Sequence, residues 1–174
     1  GFKTDLKKKI LGLNPHIIIE PNSFIINDEF TSQLKDEFPE IAISKSFSGE
    51  GIIIGNGNAK GVILKGINKD EKKSIEFLKK FLISGDIKTS GKNKVFIGAE
   101  LAHNLNLNEG DNISLMSSAF VTTPLGGLPK QESYKIAGTF NTGFLEFDQN
   151  IVFLEIEDVL SIFDKEEKDQ NLEI

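Results

Sequence analysis

Apolar residues recur every three or four positions at the start of the chain, as Phe2, Leu6, Ile10 and Leu13, with Lys3, Lys7, Lys8 and Lys9 between them. That period is the stripe of a short amphipathic helix. Pro15 ends it, because the residue before a proline is pushed toward extended geometry. The period then changes. "HIIIE" at 16–20 is short and β-branched, which predicts a strand, and "PNSFIIND" at 21–28 continues extended. Residues 27–38 predict a helix: Asn27 or Asp28 can cap it, Phe30, Leu34 and Phe38 share one face, and Pro39 closes it. "IAISKSF" at 41–47 alternates as a half-buried strand does.

"GIIIGNGNAKGVILKGI" at 51–67 is two apolar runs around Asn56-Gly57. This dipeptide suits a type I′ turn, which needs positive φ at both central positions, so a hairpin between 52–54 and 62–64 is expected. The longest helix is expected within 68–86, with Ile75, Leu78 and Leu82 as its buried stripe, Phe77 and Phe81 alongside, and Gly85 as a left-handed C-terminal cap. "KTSGKNK" at 88–94 is polar and marks the best internal boundary. Shorter elements follow: strands at 94–98, 112–120, 133–140 and 150–156, small helices at 99–107 and 157–163, and a turn at 108–111. The charged tail 164–174 is expected to be mobile at first. Strands and hairpins with a few helices make an α+β chain.

Between two of these strands lies "FVTTPLGGLPKQES", residues 120–133. Two prolines and a Gly-Gly pair are loop chemistry, yet Phe120, Val121, Leu125 and Leu128 are apolar. A tight hairpin needs two to five loop residues, and 122–130 is longer. Pro124 and Pro129 cannot donate to a ladder, so regular pairing is expected to lapse there. Either the leucines fold back onto their own sheet, or a stiffened loop offers them to a partner, where little entropy is lost on docking.

Composition narrows the function. The chain has 174 residues, 39% hydrophobic and 26% charged, with a net charge of −6. The acidic balance argues against a nucleic-acid binder, whose first requirement is a basic face. The absence of cysteine removes disulfides and thiolate chemistry. No run reaches the roughly 18–20 apolar residues of a spanning helix, and no signal-peptide core is present.

Catalytic and cofactor motifs are also missing. "GNGNAKG" at 55–61 has glycines in a phosphate-loop style, but a strand follows it rather than the helix that such a loop must open. His16 and His103 have no second ligand at zinc spacing and no nearby nucleophile. The pairs Glu146 with Asp148 and Glu157 with Asp158 are read as caps of the following elements. The expectation is a protein that is not an enzyme and binds no nucleotide, metal or other cofactor.

Four stretches, taken in order, resemble one family: "ILGLNPHI" (10–17), "GEGIIIGNGNAKGVILKGI" (49–67), "VFIGAELAHNLNLNEGD" (95–111) and "TPLGGLPKQESYKIAGTFNTGFLEFDQNIVFLEIEDVLSIF" (123–163). They are similar to the extracytoplasmic domain of LolC/LolE-type permeases, the membrane subunits of the lipoprotein-releasing ABC transporter of Gram-negative bacteria. The resemblance covers nearly the whole chain. It implies a periplasmic domain of an inner-membrane protein, with the α+β fold of mixed sheets shared with MacB-type permeases. That fold has a porter and a sabre part, here expected as a juxtamembrane helix and porter part over 1–90, a sabre part over 91–147 and a return segment over 148–174. The chain stops before the last elements of the family's porter part, so an incomplete porter part is expected.

The resemblance further implies that residues 120–130 form the LolC-type "hook", a hairpin loop that captures the periplasmic carrier LolA. The contact residues carried over are Phe120, Val121, Thr122, Thr123, Pro124, Leu125, Gly126, Gly127, Leu128, Pro129 and Lys130, with Gln131 at an adjoining polar pad. Glu132 departs from the pattern, which has arginine there. The implied partners are a LolA-like carrier, a lipoprotein substrate, a second permease subunit and a cytoplasmic ATPase. Two alternatives remain: a MacB-like or FtsX-like permease domain, against which the "LPK" hairpin speaks, and a self-associating structural module.

Overall fold

The computed structural model describes residues 18–19, 32, 36–37, 44–68, 72–124, 126–163 and 171–173, with the backbone alone for 18–19, 44–46, 73, 118–123, 127–129 and 171–173. The helix expected over 1–13, the extended stretch 21–28 and most of the tail lie outside the described residues, as does His16. The strand expected at 16–20 is represented by β1 (Ile18–Ile19), and that at 41–47 by β2 (Ser44–Ser46). Ser32, Asp36 and Glu37 are helical, within the helix expected at 27–38. β1 and β2 flank β10 (Asn171–Glu173) and run antiparallel to it, forming a three-stranded sheet.

The larger sheet begins with the hairpin of β3 (Ser48–Gly55) and β4 (Asn58–Ile67). Gly55 stands opposite Asn58, leaving Asn56 and Gly57 as the turn with φ of 52° and 75°. Both are positive, as a type I′ turn demands. No helix opens at Gly61, so the phosphate-loop geometry is not built. The turn is also tied down: the Asn56 amide donates to the carbonyls of Leu105 and Asn106 at 3.0 and 2.6 Å, just past α2 (Ala99–Asn104).

Helix α1 (Lys72–Phe81) buries Phe77 and Leu78, while Ile75 is partly buried. It does not continue to Gly85 as expected. Leu82–Gly85 instead form β5, antiparallel to β8 (Gly126–Phe140), with Leu82 opposite Phe140 and Gly85 opposite Gly138. The edge of β8 supplies hydrogen-bond partners there, and Ser84 Oγ lies 2.8 Å from Thr139 Oγ1. Gly85 has a φ of 80°, but as a strand residue at a close approach: a Cβ would sit 2.1 Å from the Ala137 carbonyl oxygen. The polar stretch after it is a short crossing. Asp86 accepts from the Lys88 N–H at 2.9 Å and opens a 3-10 turn at Ile87–Thr89.

β6 (Lys94–Gly98), β7 (Asn112–Thr123) and β9 (Ile151–Glu155) complete the sheet. β4 and β9 are parallel, β6 is antiparallel to β9 and parallel to β8, and β7 joins β3 to β8. The β7–β8 pairing closes β3, β4, β9, β6, β8 and β7 into a ring, with β5 continuing the edge of β8. Strands from both sides of residue 90 share this sheet; the two sheets part at Phe47 and after Phe163.

Alternation sorts the core. Val95, Ile97, Val152, Leu154 and Ile136 join Leu64 and Leu115 in one cluster, together with α2 and α4 (Ile156–Ile162). The intervening Phe96, Phe153 and Ala137 face a second cluster with α1 and Phe140. Rings there meet edge-on or tilted, with Phe140 and Phe153 centroids 5.4 Å apart, the geometry aromatic quadrupoles favour. Phe147 of α3 (Leu145–Asp148), a short helix the sequence pattern did not signal, completes that cluster. Among the described residues no helix is long and apolar enough to cross a membrane.

Leu64 is fully buried while its neighbour Ile63 is 41% exposed on the outer face. Leu64→Ala is expected to lower the unfolding free energy by about 2–5 kcal/mol. Ile63→Ala is expected to change it by about 1 kcal/mol or less. Urea unfolding of both variants checks this, and equal losses would count against the assignment of inner and outer faces.

Candidate functional site

The stretch expected as a long loop is a hairpin carried almost to its end. β7 runs through Thr123 and β8 begins at Gly126, so two positions separate the strands rather than the nine of 122–130, and Pro124 is a turn residue there. Thr123 stands opposite Gly126, Thr122 opposite Gly127, Val121 opposite Leu128 and Phe120 opposite Pro129. Gly126 holds a φ of 115°, a backbone conformation open to glycine that residues with a Cβ rarely adopt. Among the described residues, 120–123 and 126–129 find ladder partners in each other and in no further strand. They form an arm beyond the ring.

Pro129 lies within the ladder, and the lapse expected at the prolines falls beside it. Pairing is regular as far as Met116 opposite Gln131, then resumes at Phe120 opposite Pro129. Three residues of β7 thus face one of β8. A proline has no N–H to donate, so an interruption next to it loses the least, and bulges of this kind bend and twist a ribbon.

Pro124, Gly126 and Gln131 are exposed and Lys130 is half-buried. Leu125 lies outside the described residues. For Phe120, Val121, Thr122, Thr123, Gly127, Leu128 and Pro129 only the backbone is described. Lys130 is turned toward the body: its ammonium donates to the Ser161 carbonyl at 2.6 Å, with Ser161 Oγ at 3.5 Å.

Ser161 lies on α4, whose first turn carries Asp158, a nearly buried carboxylate. Asp158 was expected to cap its own helix. It instead accepts from the Asn93 N–H at 2.8 Å, tying α4 to the start of β6. Burial pushes the Asp158 carboxyl above its ordinary range, the Asn93 bond pulls it down, and Glu155 pushes it up again. Burial, aided by the Asp158 and Glu132 charges, likewise pushes the Tyr134 hydroxyl upward. Glu132 thus adds its negative charge beside Asp158 and Tyr134 at the base of the arm.

Of the other candidates, Asp148 has a structural task. Asp148 accepts from the Thr142 N–H and hydroxyl at 2.9 and 2.7 Å and from the Gly143 N–H at 3.1 Å, so it holds the preceding loop rather than capping a following element. Glu146 is exposed, as is His103 on α2. Among the described residues no group of three metal-ligating side chains comes together.

No protein-family model matches the chain. The lipoprotein-releasing system transmembrane protein LolC of Xylella fastidiosa (strain Temecula1) is 22% identical over 165 residues, 93% of this chain and 40% of that protein. LolC of Neisseria meningitidis serogroup B is 25% identical over 182 residues, 95% of this chain and 41% of that protein. The chain therefore spans about 40% of the length of these curated relatives. The extracellular domain of the noncanonic ABC-type transporter YknZ from Gram-positive bacteria superposes with a TM-score of 0.57 at 16% identity, covering 89% of this chain and 79% of that one. The periplasmic region of MacB from Actinobacillus actinomycetemcomitans gives 0.55 at 14%, covering 95% and 75%. The fold is thus that of a MacB-like periplasmic domain, α+β with mixed sheets, and nearly the whole chain is similar in sequence to LolC.

The raised Asp158 carboxyl has a sign that can be measured. The folded chain binds this proton more tightly than the unfolded chain, so Asp158 lowers stability progressively as pH rises from about 3.8 through its folded value. Asp158→Asn cannot ionise and keeps an oxygen for the Asn93 N–H. Its stability relative to wild type is expected to improve as pH rises through that window. Urea unfolding at a series of pH values checks it, and a pH-independent difference contradicts it.

Proposed function

We propose that the chain is the periplasmic domain of a LolC-type permease of a bacterial inner membrane, and that its arm recruits a LolA-like lipoprotein carrier. The observation that carries this reading is the arm itself: a hairpin whose ladder, among the described residues, joins no strand beyond its own two outside the closed ring, with Pro124 and Gly126 exposed at its end, in a chain similar to LolC along nearly its whole length. In this reading the contact surface is residues 120–130, with Gln131 at the rim. Lipoproteins drawn from the inner membrane pass to the carrier held there. The domain itself catalyses nothing: ATP hydrolysis belongs to a separate cytoplasmic subunit, and a second permease subunit completes the complex. We place the porter–sabre division between the two sheets, with the three-stranded sheet on the porter side and the arm on the sabre side.

A hairpin tip offers a small surface, near or below about 800 Å² per partner. Each leucine buried on docking contributes about 1.5–3 kcal/mol. Leu128→Ala is therefore expected to weaken carrier binding roughly ten-fold or more while leaving the melting temperature unchanged. Calorimetric titration with the LolA-like carrier of the same organism, run beside a thermal melt, tests this. A destabilised variant that binds normally would sink the reading. Concentration-dependent dimerisation lost on trimming the arm would favour the self-associating module instead.

A further inference from the structure

Lys130 is the one residue of β8 between the two ladder segments: Gln131 pairs with Met116 on the body side, and Pro129 with Phe120 on the arm side. It sits at the bend. Its ammonium reaches the Ser161 carbonyl at 2.6 Å, in the last turn of α4. Last-turn carbonyls of a helix lack intrahelical partners and carry the negative end of its dipole, so a lysine is a favourable donor there. The far end of this tether is firmly held. Val159 and Ile162 are buried in the ring cluster, and Asp158 is bonded to the Asn93 N–H. Beyond the bend, among the described residues, the arm pairs with no further strand that would hold its angle.

We infer that Lys130 is a positioning residue: its bond to the end of α4 fixes the angle of the arm against the ring and so holds the arm ready for its partner. A half-buried lysine whose ammonium already bonds to the body of the same chain can set the arm's orientation whether or not it also touches the partner. Fixing the arm before docking removes an ordering cost that binding otherwise meets. The inference rests on the proposed function only for this last step, since the tether acts whether or not a partner is present.

The chain has no cysteine, so Pro124→Cys at the exposed tip and Asn104→Cys at the exposed end of α2 give a clean pair for spin labels. In the partner-free domain, Lys130→Met is expected to broaden and shift the tip-to-body distance distribution. Lys130→Arg, which restores a donor, is expected to return it, and Lys135→Met, exposed nearby on β8, to leave it as in wild type. Unlabelled Lys130→Met is expected to bind the LolA-like carrier several-fold more weakly at an unchanged melting temperature, with Lys130→Arg again close to wild type. A wild-type distribution in Lys130→Met overturns the tether. A broadened distribution with undiminished carrier affinity overturns the positioning role. If wild-type domain does not bind the carrier at all, the proposed function fails while the distances still decide the tether.

Discussion

Strand β8 must satisfy backbone hydrogen bonds along fifteen residues, and three strands share that task. β6 lies along one edge of its second half, β5 takes the last part of the other edge, and β7 takes the rest of that edge as far as the tip. This division of one strand's donors and acceptors closes the ring, and among the described residues it leaves 126–134 with β7 as their sole partner strand, the first four of them out in the arm. An unpaired strand edge invites pairing with other chains. Here the hairpin covers its own inner edge, so the arm extends into solvent without a dangling ladder between its strands.

Closure also decides what the core is. Strands β6 and β9 are buried on both faces, with aliphatic residues toward the ring interior and phenylalanines toward α1 and α3. Such strands read as continuous apolar runs because neither face meets water. The Phe77–Phe140–Phe147–Phe153 group binds α1, β8, α3 and β9 together, so the segment leading into β5 and the strand that carries the arm share one rigid support.

The polar groups near the arm's base follow from the same packing. α4 lies against the inner row of β8, where Lys130, Glu132 and Tyr134 alternate, and its Asp158 and Ser161 meet them through charge or hydrogen bond. A lysine and several carboxylates in one place have the composition of a catalytic site. Their bonds go instead to a helix-end carbonyl and a strand-start N–H, which are tasks of support.

The sequence by itself determined the elements whose signal is local. Asn56-Gly57 could only be a two-residue turn, because few other residue pairs accept positive φ twice in succession. The strands at 94–98 and 151–155 and the short helices beside them were legible from apolar runs and their breaks. The tertiary structure alone decided the rest. Leu82 continues a helical stripe, yet it and the next three residues become strand because β8 offers a free edge beside them. The proline-rich stretch has loop composition, yet it is held as a ladder because β7 and β8 are already in register below it and only the residues next to Pro129 need slip. No local pattern says that Lys130 turns inward to Ser161, or that β7 and β8 close a ring. Those are contacts between residues far apart in sequence, and their free energy exists only once the chain has folded.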